Sequence, residues 1–152
     1  MIEKDLNEVI NIERIVFKHP WTKNYFRLII SDMNNYMISL KQKKSIIGYG
    51  GYHLLKSNTN FLSTKKEYNR IVHLINIAID PFYQKRGCGT YLMNTLVNNA
   101  RSKHGDYCYL EVRPSNSRAL SFYKKFNFTI IGIIENYYPY EEEDALVFGR
   151  EL

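Results

Sequence analysis

Hydrophobic residues recur at helical spacing near the start of the chain, where the apolar residues on one face are Leu6, Val9, Ile10 and Val16. This pattern predicts a helix from Asp5 to about Phe17, with Asp5 and Glu8 spaced as a capping box. A Pro-Trp pair then interrupts the pattern. Thr22 can cap a second helix, which we expect to run to about Met33.

The period then changes to the alternation typical of β-strands. The runs from Tyr36 to Lys41 and from Ile46 to Leu55 are joined by a short polar turn, which predicts a hairpin. The stretch from Lys56 to Arg70 is rich in Asn, Lys, Ser and Thr, so we expect a loop. A third strand is predicted from Ile71 to Asp80.

A helix pattern follows Pro81 and the run QKRGCG, and its apolar residues are Met93, Leu96, Val97 and Ala100. A strand is predicted from Tyr107 to Val112. Ser115 can cap the next helix, and Asn127 occupies the position where a left-handed residue ends a helix. The buried side of that helix is expected to include Ala119, Leu120, Tyr123 and Phe126.

The chain ends in two predicted strands, Phe128 to Ile134 and Asp144 to Arg150, around the acidic, tyrosine-rich loop NYYPYEEE. The order of helices and strands indicates a mixed α+β fold. No internal repeat or linker interrupts the sequence. We therefore expect a single domain that covers residues 1–152.

Composition allows such a domain to fold alone, because 45% of the 152 residues are hydrophobic and 14% are aromatic. No apolar run approaches the ~20 residues that a membrane span requires. The first residues, MIEKDLNEVI, carry acidic groups where a signal peptide would carry basic ones. These observations predict a soluble, cytoplasmic protein that does not bind a membrane.

The net charge of +6 is compatible with nucleic acid, an acidic surface, an anionic ligand or an ordinary lysine-rich surface. No arginine-rich arm or aromatic RNA-binding motif occurs, so no direct nucleic-acid binding is expected. Cys88 and Cys108 give neither a disulfide framework nor metal-ligand spacing. The scattered histidines are His19, His53, His73 and His104, and no metal site is expected.

The run from Gln84 to Gly89 links a strand to the start of a helix, where unpaired backbone amides and the helix dipole favour an anion. Gly87 and Gly89 lack the Cβ atoms that would block a pyrophosphate, and Lys85 and Arg86 add positive charge. An isolated GxG can equally be a turn that binds nothing. The run lacks the features of a P-loop and of a dinucleotide fingerprint.

The pattern QxxGxG after IAIDPFY resembles motif A of the GNAT superfamily of N-acetyltransferases. The segments INIAIDPFYQKRGCGTYLM, LEVRPSNSRALSFYKKFNF and NYYP followed by EDALVF resemble the subgroup that acetylates protein N-termini, which includes the ribosomal-protein alanine N-acetyltransferases. Similarity is good from about Ile71 to Leu152 and weaker through HPWTKNYF. The resemblance implies the GNAT fold, a mixed, mostly antiparallel central sheet flanked by helices. Because only Met1 to Lys4 precede Asp5, the first edge strand is expected to be shortened or missing.

The resemblance implies acetyl-coenzyme A as the acetyl donor. The loop and helix start would hold its pyrophosphate, and Ile77 and Ile79 would bond its pantetheine arm as an added strand. Asn116 would contact that arm or the catalytic helix. The expected cofactor-binding residues are Ile77, Ile79, Gln84, Lys85, Arg86, Gly87, Cys88, Gly89, Thr90, Asn116 and Tyr123.

The resemblance also implies that Glu111 is the general base, acting through a water, and that Tyr123 is the general acid. Because the pKa of a thiol, ~8.5, is close to that of a phenol, ~10, we expect Tyr123 to act without a strongly perturbed pKa. Alternatively, Glu111 could form a salt bridge with Arg113, and Tyr123 could be a core residue. His73 is a second candidate base or a packed strand histidine. Cys88 could be reactive at a helix start, although direct transfer requires no acetyl-cysteine.

For the acceptor, the resemblance implies contacts from two segments, and the expected substrate-binding residues are His19, Pro20, Trp21, Tyr137 and Tyr138. The implied partner is a protein or peptide N-terminus, with a ribosomal protein as one candidate. The oligomeric state expected is a monomer or weak homo-oligomer. The alternatives are a family member that acetylates lysine or a small amine, and a non-catalytic module that binds coenzyme A or the ribosome.

Overall fold

A computed structural model of the chain describes residues 1–56 and 67–152. Most of the predicted loop from Lys56 to Arg70 therefore lies outside the described residues. The helices are α1 (Leu6–Val16), α2 (Lys23–Ser31), α3 (Cys88–Ser102) and α4 (Ser117–Lys124), with short 3-10 helices at Glu3–Asp5 and Pro81–Tyr83. The strands are β1 (Asn35–Gln42), β2 (Ser45–Lys56), β3 (Arg70–Ile79), β4 (Tyr107–Val112), β5 (Thr129–Tyr138) and β6 (Glu143–Glu151).

Within the described residues, the strands form a six-stranded sheet in the order β1-β2-β3-β4-β6-β5. The β1–β2, β4–β6 and β5–β6 pairs are antiparallel, whereas β3 and β4 are parallel. The predicted mixed, mostly antiparallel sheet with helices is thereby confirmed. A 3-10 helix occupies Glu3–Asp5, and no strand precedes α1 among the described residues, in line with the expected edge strand that is shortened or missing.

The chain divides into two compact units, Met1–Leu54 with Leu74–Lys103 and Leu55–His73 with His104–Leu152. In the first unit, α1 packs its apolar face into a core with α2 and the hairpin, whose buried members include Leu6, Val9, Phe26, Met37 and Tyr49. The predicted apolar face of α3 is also buried. In the second unit, Tyr68, Ile71 and Tyr107 form a core cluster. No helix among the described residues is both long and apolar enough to cross a bilayer.

The capping box predicted for α1 is wrong. The Asp5 carboxylate makes no capping hydrogen bond at the start of the helix. Instead it accepts hydrogen bonds from Lys41 Nζ at 2.7 Å and from Ser39 Oγ at 3.0 Å. Glu8 accepts the backbone N–H of Ile46 at 2.9 Å. The charged and polar groups of the hairpin thus engage both carboxylates, and α1 is tied to the hairpin.

The helix α4 is capped by Asn116 rather than by the predicted Ser115. Asn116 Oδ1 accepts the N–H of Ala119 at 3.1 Å, whereas the hydroxyl of Ser115 donates to Glu143 at 2.6 Å. Because Glu143 engages Ser115, the helix begins one residue later than predicted. Of the residues predicted for the buried side of α4, Tyr123 is buried and the others are half-buried. The predicted left-handed conformation of Asn127 is confirmed, with φ of 60°.

The strand β5 is longer than predicted and ends at Tyr138 rather than at Ile134. Its pairing with β6 is irregular between Ile134 and Tyr138. Asn136 has a φ of 53°, and its N–H donates to Asp144 Oδ1 at 2.9 Å. This local irregularity lets the strand continue past a residue with left-handed backbone, so two tyrosines that we assigned to a loop belong to β5.

Candidate active site

The connection from β3 to α3 is fixed by side chains that bond to nearby backbone. Asp80 Oδ1 accepts the N–H of Phe82 at 2.8 Å, which starts the short 3-10 helix. Gln84 Nε2 donates to the carbonyl of Ile79 at 2.9 Å, which ties the loop back to the strand. The glutamine of the motif therefore shapes the loop, and the backbone that follows reaches the start of α3 in a defined conformation.

Gly87 immediately precedes α3 and has a left-handed backbone with φ of 84°. Such a conformation is strained for residues with a Cβ atom, so glycine suits this position. It also offers no side chain to cap the helix. The first amide groups of α3, at Cys88, Gly89 and Thr90, have no acceptor within the helix. They form a set of donors at the positive end of the helix dipole.

The space beside Gly87 at this helix start is open. A Cβ atom placed on Gly87 would meet no heavy atom within 4 Å. Lys85 also has a positive φ of 59°, and the guanidinium of Arg86 lies 4.8 Å from the ring centroid of Phe82. Open backbone donors and two cationic residues match the requirements for holding a diphosphate.

In the second unit, the Glu111 carboxylate on β4 pairs with His73 on β3. His73 Nε2 lies 2.6 Å from Glu111 Oε2, and the two side chains are 24% and 12% exposed. The ring of His73 stacks on Tyr109, with centroids 4.4 Å apart and planes 2° from parallel. The parallel register places His73 opposite Tyr109. Adjacent strands thus hold a carboxylate and an imidazole in direct contact.

The alternative salt bridge between Glu111 and Arg113 is wrong. Arg113 follows the end of β4 and pairs instead with Glu141, with 3.0 Å between Nη1 and Oε1. Its guanidinium also lies 5.7 Å from the ring centroid of Tyr138. Because Arg113 is engaged by the turn between β5 and β6, Glu111 is available to His73.

Tyr123 on α4 is 8% exposed, and its ring packs against Phe122, Phe128 and Phe148. This burial raises the pKa of the Tyr123 phenol well above its usual range. Our expectation of an unperturbed phenol is therefore wrong, since the apolar surroundings disfavour the phenolate. The hydroxyl remains protonated at neutral pH and can act as a hydrogen-bond donor.

Tyr137 and Tyr138 end β5 as an edge-to-face pair, with ring centroids 5.0 Å apart. Tyr137 is 43% exposed, whereas Tyr138 is half-buried. Burial, together with the nearby Tyr137 and Glu111, raises the pKa of Tyr138 to about 12. Both rings are held by the strand rather than by a loop.

The segment between α1 and α2 presents His19 and Pro20 to solvent. Trp21 is half-buried, and its ring centroid lies 4.7 Å from that of Tyr25 and 5.4 Å from that of Phe26. The backbone N–H of Trp21 donates to Glu13 Oε1 at 2.8 Å. The segment is therefore anchored at its tryptophan and exposed at the two residues before it.

The candidate residues divide between the units. The first unit contains Ile77, Ile79, residues 84–90 and residues 19–21, and the second contains Glu111, Asn116, Tyr123, Tyr137 and Tyr138. Sequence reasoning missed the contact between His73 and Glu111, although it named both residues. It also missed the buried Glu13. A polar residue on the apolar face of α1 is the signal that could have revealed Glu13.

Comparison with known proteins supplies the family. The profile described as "Acetyltransferase (GNAT) family" matches residues 6–128. The N-alpha-acetyltransferase RimI of Mycobacterium tuberculosis is 32% identical over 132 residues, which cover 87% of this chain and 76% of that protein.

Solved structures share the fold across nearly the whole chain. The crystal structure of the ribosomal-protein-S18-alanine N-acetyltransferase from Escherichia coli has a TM-score of 0.82 at 25% identity, covering 99% of this chain and 90% of that chain. Arabidopsis thaliana Naa50, in complex with the bisubstrate analogue CoA-Ac-MVNAL, has a TM-score of 0.81 at 22% identity, covering 100% and 95%.

Proposed function

This chain belongs to the acetyltransferase (GNAT) family and is an N-acetyltransferase, and we propose that it transfers the acetyl group of acetyl-coenzyme A to the α-amine of a protein N-terminus. The names of its relatives support this acceptor class, since one is an N-alpha-acetyltransferase and another acts on the alanine of ribosomal protein S18. The whole chain, residues 1–152, is assigned to one such domain.

We assign the binding site for the acetyl donor to the start of α3. When bound, acetyl-coenzyme A supplies the activated acetyl group as a thioester. The backbone amides of residues 86–90 would hold the diphosphate, with Lys85 adding charge. The side chain of Gln84 keeps the loop in place through the carbonyl of Ile79. The backbone groups of Ile77 and Ile79 other than the Ile79 carbonyl, which Gln84 occupies, would form hydrogen bonds to the pantetheine arm. Asn116 would cap the helix that carries Tyr123.

The observation that carries the choice of an α-amine is the modest base that the site provides, the Glu111 carboxylate held by His73. An α-amine with a pKa near ~8 requires about 1.4 kcal/mol to be neutral at pH 7, whereas a lysine near ~10.4 requires about 4.6 kcal/mol. A carboxylate acting through a water can deprotonate an amine whose neutral form costs only about 1.4 kcal/mol. An N-terminal amine is therefore the better-matched nucleophile.

Direct transfer within a ternary complex balances protons without a covalent enzyme intermediate. The amine nitrogen bonds to the acetyl carbon as the C–S bond breaks, and the proton that the amine loses passes through water to Glu111. The phenol of Tyr123 would donate a hydrogen bond to the departing sulfur, which would leave as a thiolate and take its proton from solvent. Because burial raises the pKa of Tyr123, stabilisation by a hydrogen bond is favoured over complete ionisation of the phenol. Cys88 contributes its backbone N–H and forms no thioester.

The acceptor is assigned to two aromatic segments. His19, Pro20 and Trp21 would contact the peptide from the α1–α2 connection, and Tyr137 and Tyr138 would do so from the end of β5. Tyrosine hydroxyls can bond a peptide backbone while their rings pack against its first side chain. The bisubstrate analogue bound by Naa50 contains a peptide joined through acetyl to coenzyme A, which supports a peptide as the acceptor class.

A peptide-library acetylation assay tests the proposal. Peptides with a free α-amine and no lysine are compared with matched peptides that have a blocked N-terminus and one lysine, using acetyl-coenzyme A as donor. We expect a kcat/KM at least tenfold higher for the free α-amine. Preference for the lysine peptides or for small amines would replace the proposed acceptor, and absence of transfer to any amine would contradict catalysis.

A further inference from the structure

A buried carboxylate lies on α1, apart from the residues assigned to catalysis. Glu13 is 1% exposed. Its Oε1 accepts the backbone N–H of Trp21 at 2.8 Å, and its Oε2 accepts the hydroxyl of Tyr49. Asn76 Nδ2 also donates to Oε2, at 3.5 Å. This carboxylate connects α1 to β2, to β3 and to the segment before α2.

The surroundings give Glu13 one orientation. Tyr49 and Asn76 both donate to Oε2, which leaves Oε1 directed at Trp21. Among the described residues, Asn76 Oδ1 is buried without a hydrogen-bond partner. If the side-chain amide of Asn76 were rotated by half a turn, its oxygen would face the Glu13 carboxylate, and the two oxygens would repel each other. Asn76 therefore presents its NH2 group to Glu13.

Glu13 holds the connection between α1 and α2 at two points. Its backbone carbonyl accepts the N–H of Phe17 at 2.9 Å, just after the helix ends. Its side chain accepts the N–H of Trp21, just before Thr22 caps α2. The five residues from Phe17 to Trp21 are thus fixed at both ends by one residue of the helix that precedes them.

Stability alone does not account for this residue. Burial of a carboxylate costs free energy unless its hydrogen bonds are complete, and an apolar residue at the same position of a packed helix avoids that cost. Burial raises the pKa of Glu13 to about 6, which shows that the ionised form is disfavoured there. The property that an apolar residue could not supply is the hydrogen bond to the backbone of Trp21.

We propose that Glu13 is a positioning residue that holds the segment from His19 to Trp21 in the conformation that receives the acceptor. This inference rests on the proposed function, in which that segment contacts the peptide N-terminus. The anchored backbone at Trp21 directs the exposed His19 and Pro20, so Glu13 sets acceptor affinity without touching the acceptor. Its loss should raise the KM for the peptide while leaving donor binding intact.

Trp21 provides a test that does not depend on activity, because it is the only tryptophan in the sequence. In Glu13→Gln we expect red-shifted tryptophan emission and increased quenching by acrylamide, since the anchor on its backbone is weakened. The matched control is Glu8→Gln on the same helix, where the carboxylate accepts the N–H of Ile46 instead. That control should leave the emission and the quenching unchanged.

Steady-state kinetics with a peptide acceptor give the second test. We expect Glu13→Gln to raise the peptide KM about fivefold, because a neutral amide oxygen accepts the N–H of Trp21 more weakly than a carboxylate does. The kcat and the dissociation constant of acetyl-coenzyme A should stay within about twofold of wild type. Unchanged emission, quenching and KM in a folded Glu13→Gln protein would overturn the inference, and so would a parallel loss of donor affinity.

The two proposals fail in different ways. If the wild-type protein prefers lysine peptides, the proposed acceptor is wrong, and the KM comparison is made with the preferred amine. If no amine is acetylated, tryptophan quenching alone decides whether Glu13 holds the segment. If Glu13→Gln does not fold, Tyr49→Phe replaces it, because loss of the Tyr49 hydroxyl removes one hydrogen bond that orients the carboxylate and so weakens its hold on the N–H of Trp21. A raised peptide KM is then expected, and an unchanged KM together with unchanged quenching overturns the inference.

Discussion

His73 Nε2 lies 2.6 Å from Glu111 Oε2, so an imidazole on β3 holds the carboxylate that we assign as the base on β4. The imidazole is itself held flat against the ring of Tyr109. A carboxylate in contact with a fixed partner samples fewer orientations than an isolated one. The free oxygen of Glu111 is therefore presented in a constant direction to the water that would carry the proton.

Replacement of His73 should slow the reaction without abolishing it. We expect His73→Ala to lower kcat by about tenfold, because the carboxylate loses one charge-assisted hydrogen bond. Glu111→Gln removes the base itself and should lower kcat by about 10²-fold or more. Steady-state kinetics at saturating acetyl-coenzyme A, with a free α-amine peptide, distinguish the two effects.

The control for His73 is a histidine with a similar contact that has no assigned role. His53 Nδ1 lies 2.6 Å from Asn35 Oδ1, across the β1–β2 hairpin. His53→Ala should keep kcat within about twofold of wild type. A wild-type kcat in His73→Ala, or an equal loss in both variants, would contradict the assigned support of Glu111.

Tyr123→Phe should separate chemistry from binding. The ring packing against Phe128 and Phe148 is retained, whereas the hydroxyl that would donate to the departing sulfur is lost. We expect kcat to fall by about 10- to 100-fold, with an acetyl-coenzyme A dissociation constant nearly unchanged in calorimetry. Tyr36→Phe, on β1, is the control and should change neither quantity. A large loss of donor affinity in Tyr123→Phe would indicate a structural role instead.

The periodic elements could be predicted because their signals are local. The alternation in β1 and β2 and the apolar face of α3 follow directly from residue spacing, and their predicted positions agree with the structure. The N-cap of α2 at Thr22 is confirmed as well, through the hydrogen bond from the N–H of Tyr25. The side chain involved lies within three residues of the backbone group that it caps.

The errors have tertiary causes. Ser115 and Asn116 are both good capping residues, and Glu143, distant in sequence, decides between them by bonding Ser115. The contact between Glu111 and His73 depends on the register of two parallel strands, which residue spacing does not give. Glu13 could not be placed for the same reason, because its partners come from separate strands and from a loop.

The proposed diphosphate site at the start of α3 can be tested by placing a charged side chain there. Gly89 is the second residue of that helix. Gly89→Glu places a carboxylate beside amides that are proposed to hold a diphosphate, so acetyl-coenzyme A binding should be lost in calorimetry. Gly132→Glu on β5 is the matched control, because a Cβ atom there meets no heavy atom within 4 Å. That variant should bind normally, and donor binding by Gly89→Glu would rule out the assigned location.

The buried carboxylate of Glu13 should give stability a specific pH dependence. Burial raises its pKa from 4.5 to about 6, which corresponds to about 2 kcal/mol. A raised carboxyl pKa favours the folded state at low pH, and this contribution is lost as the pH rises through about 6. Relative to Glu13→Gln, wild-type stability should therefore decline by about 2 kcal/mol between pH 4.5 and pH 7.

Chemical denaturation of both proteins at a series of pH values in that range measures this difference, and titrations common to both proteins cancel. Thr22→Ala is the control, because it removes the N-cap of α2 without removing a titratable group. It should cost about 1 kcal/mol at every pH. A difference between wild type and Glu13→Gln that stays constant with pH, or grows as pH rises, would show that burial does not dominate the pKa of Glu13, since its hydrogen bonds from Trp21 and Asn76 lower that pKa.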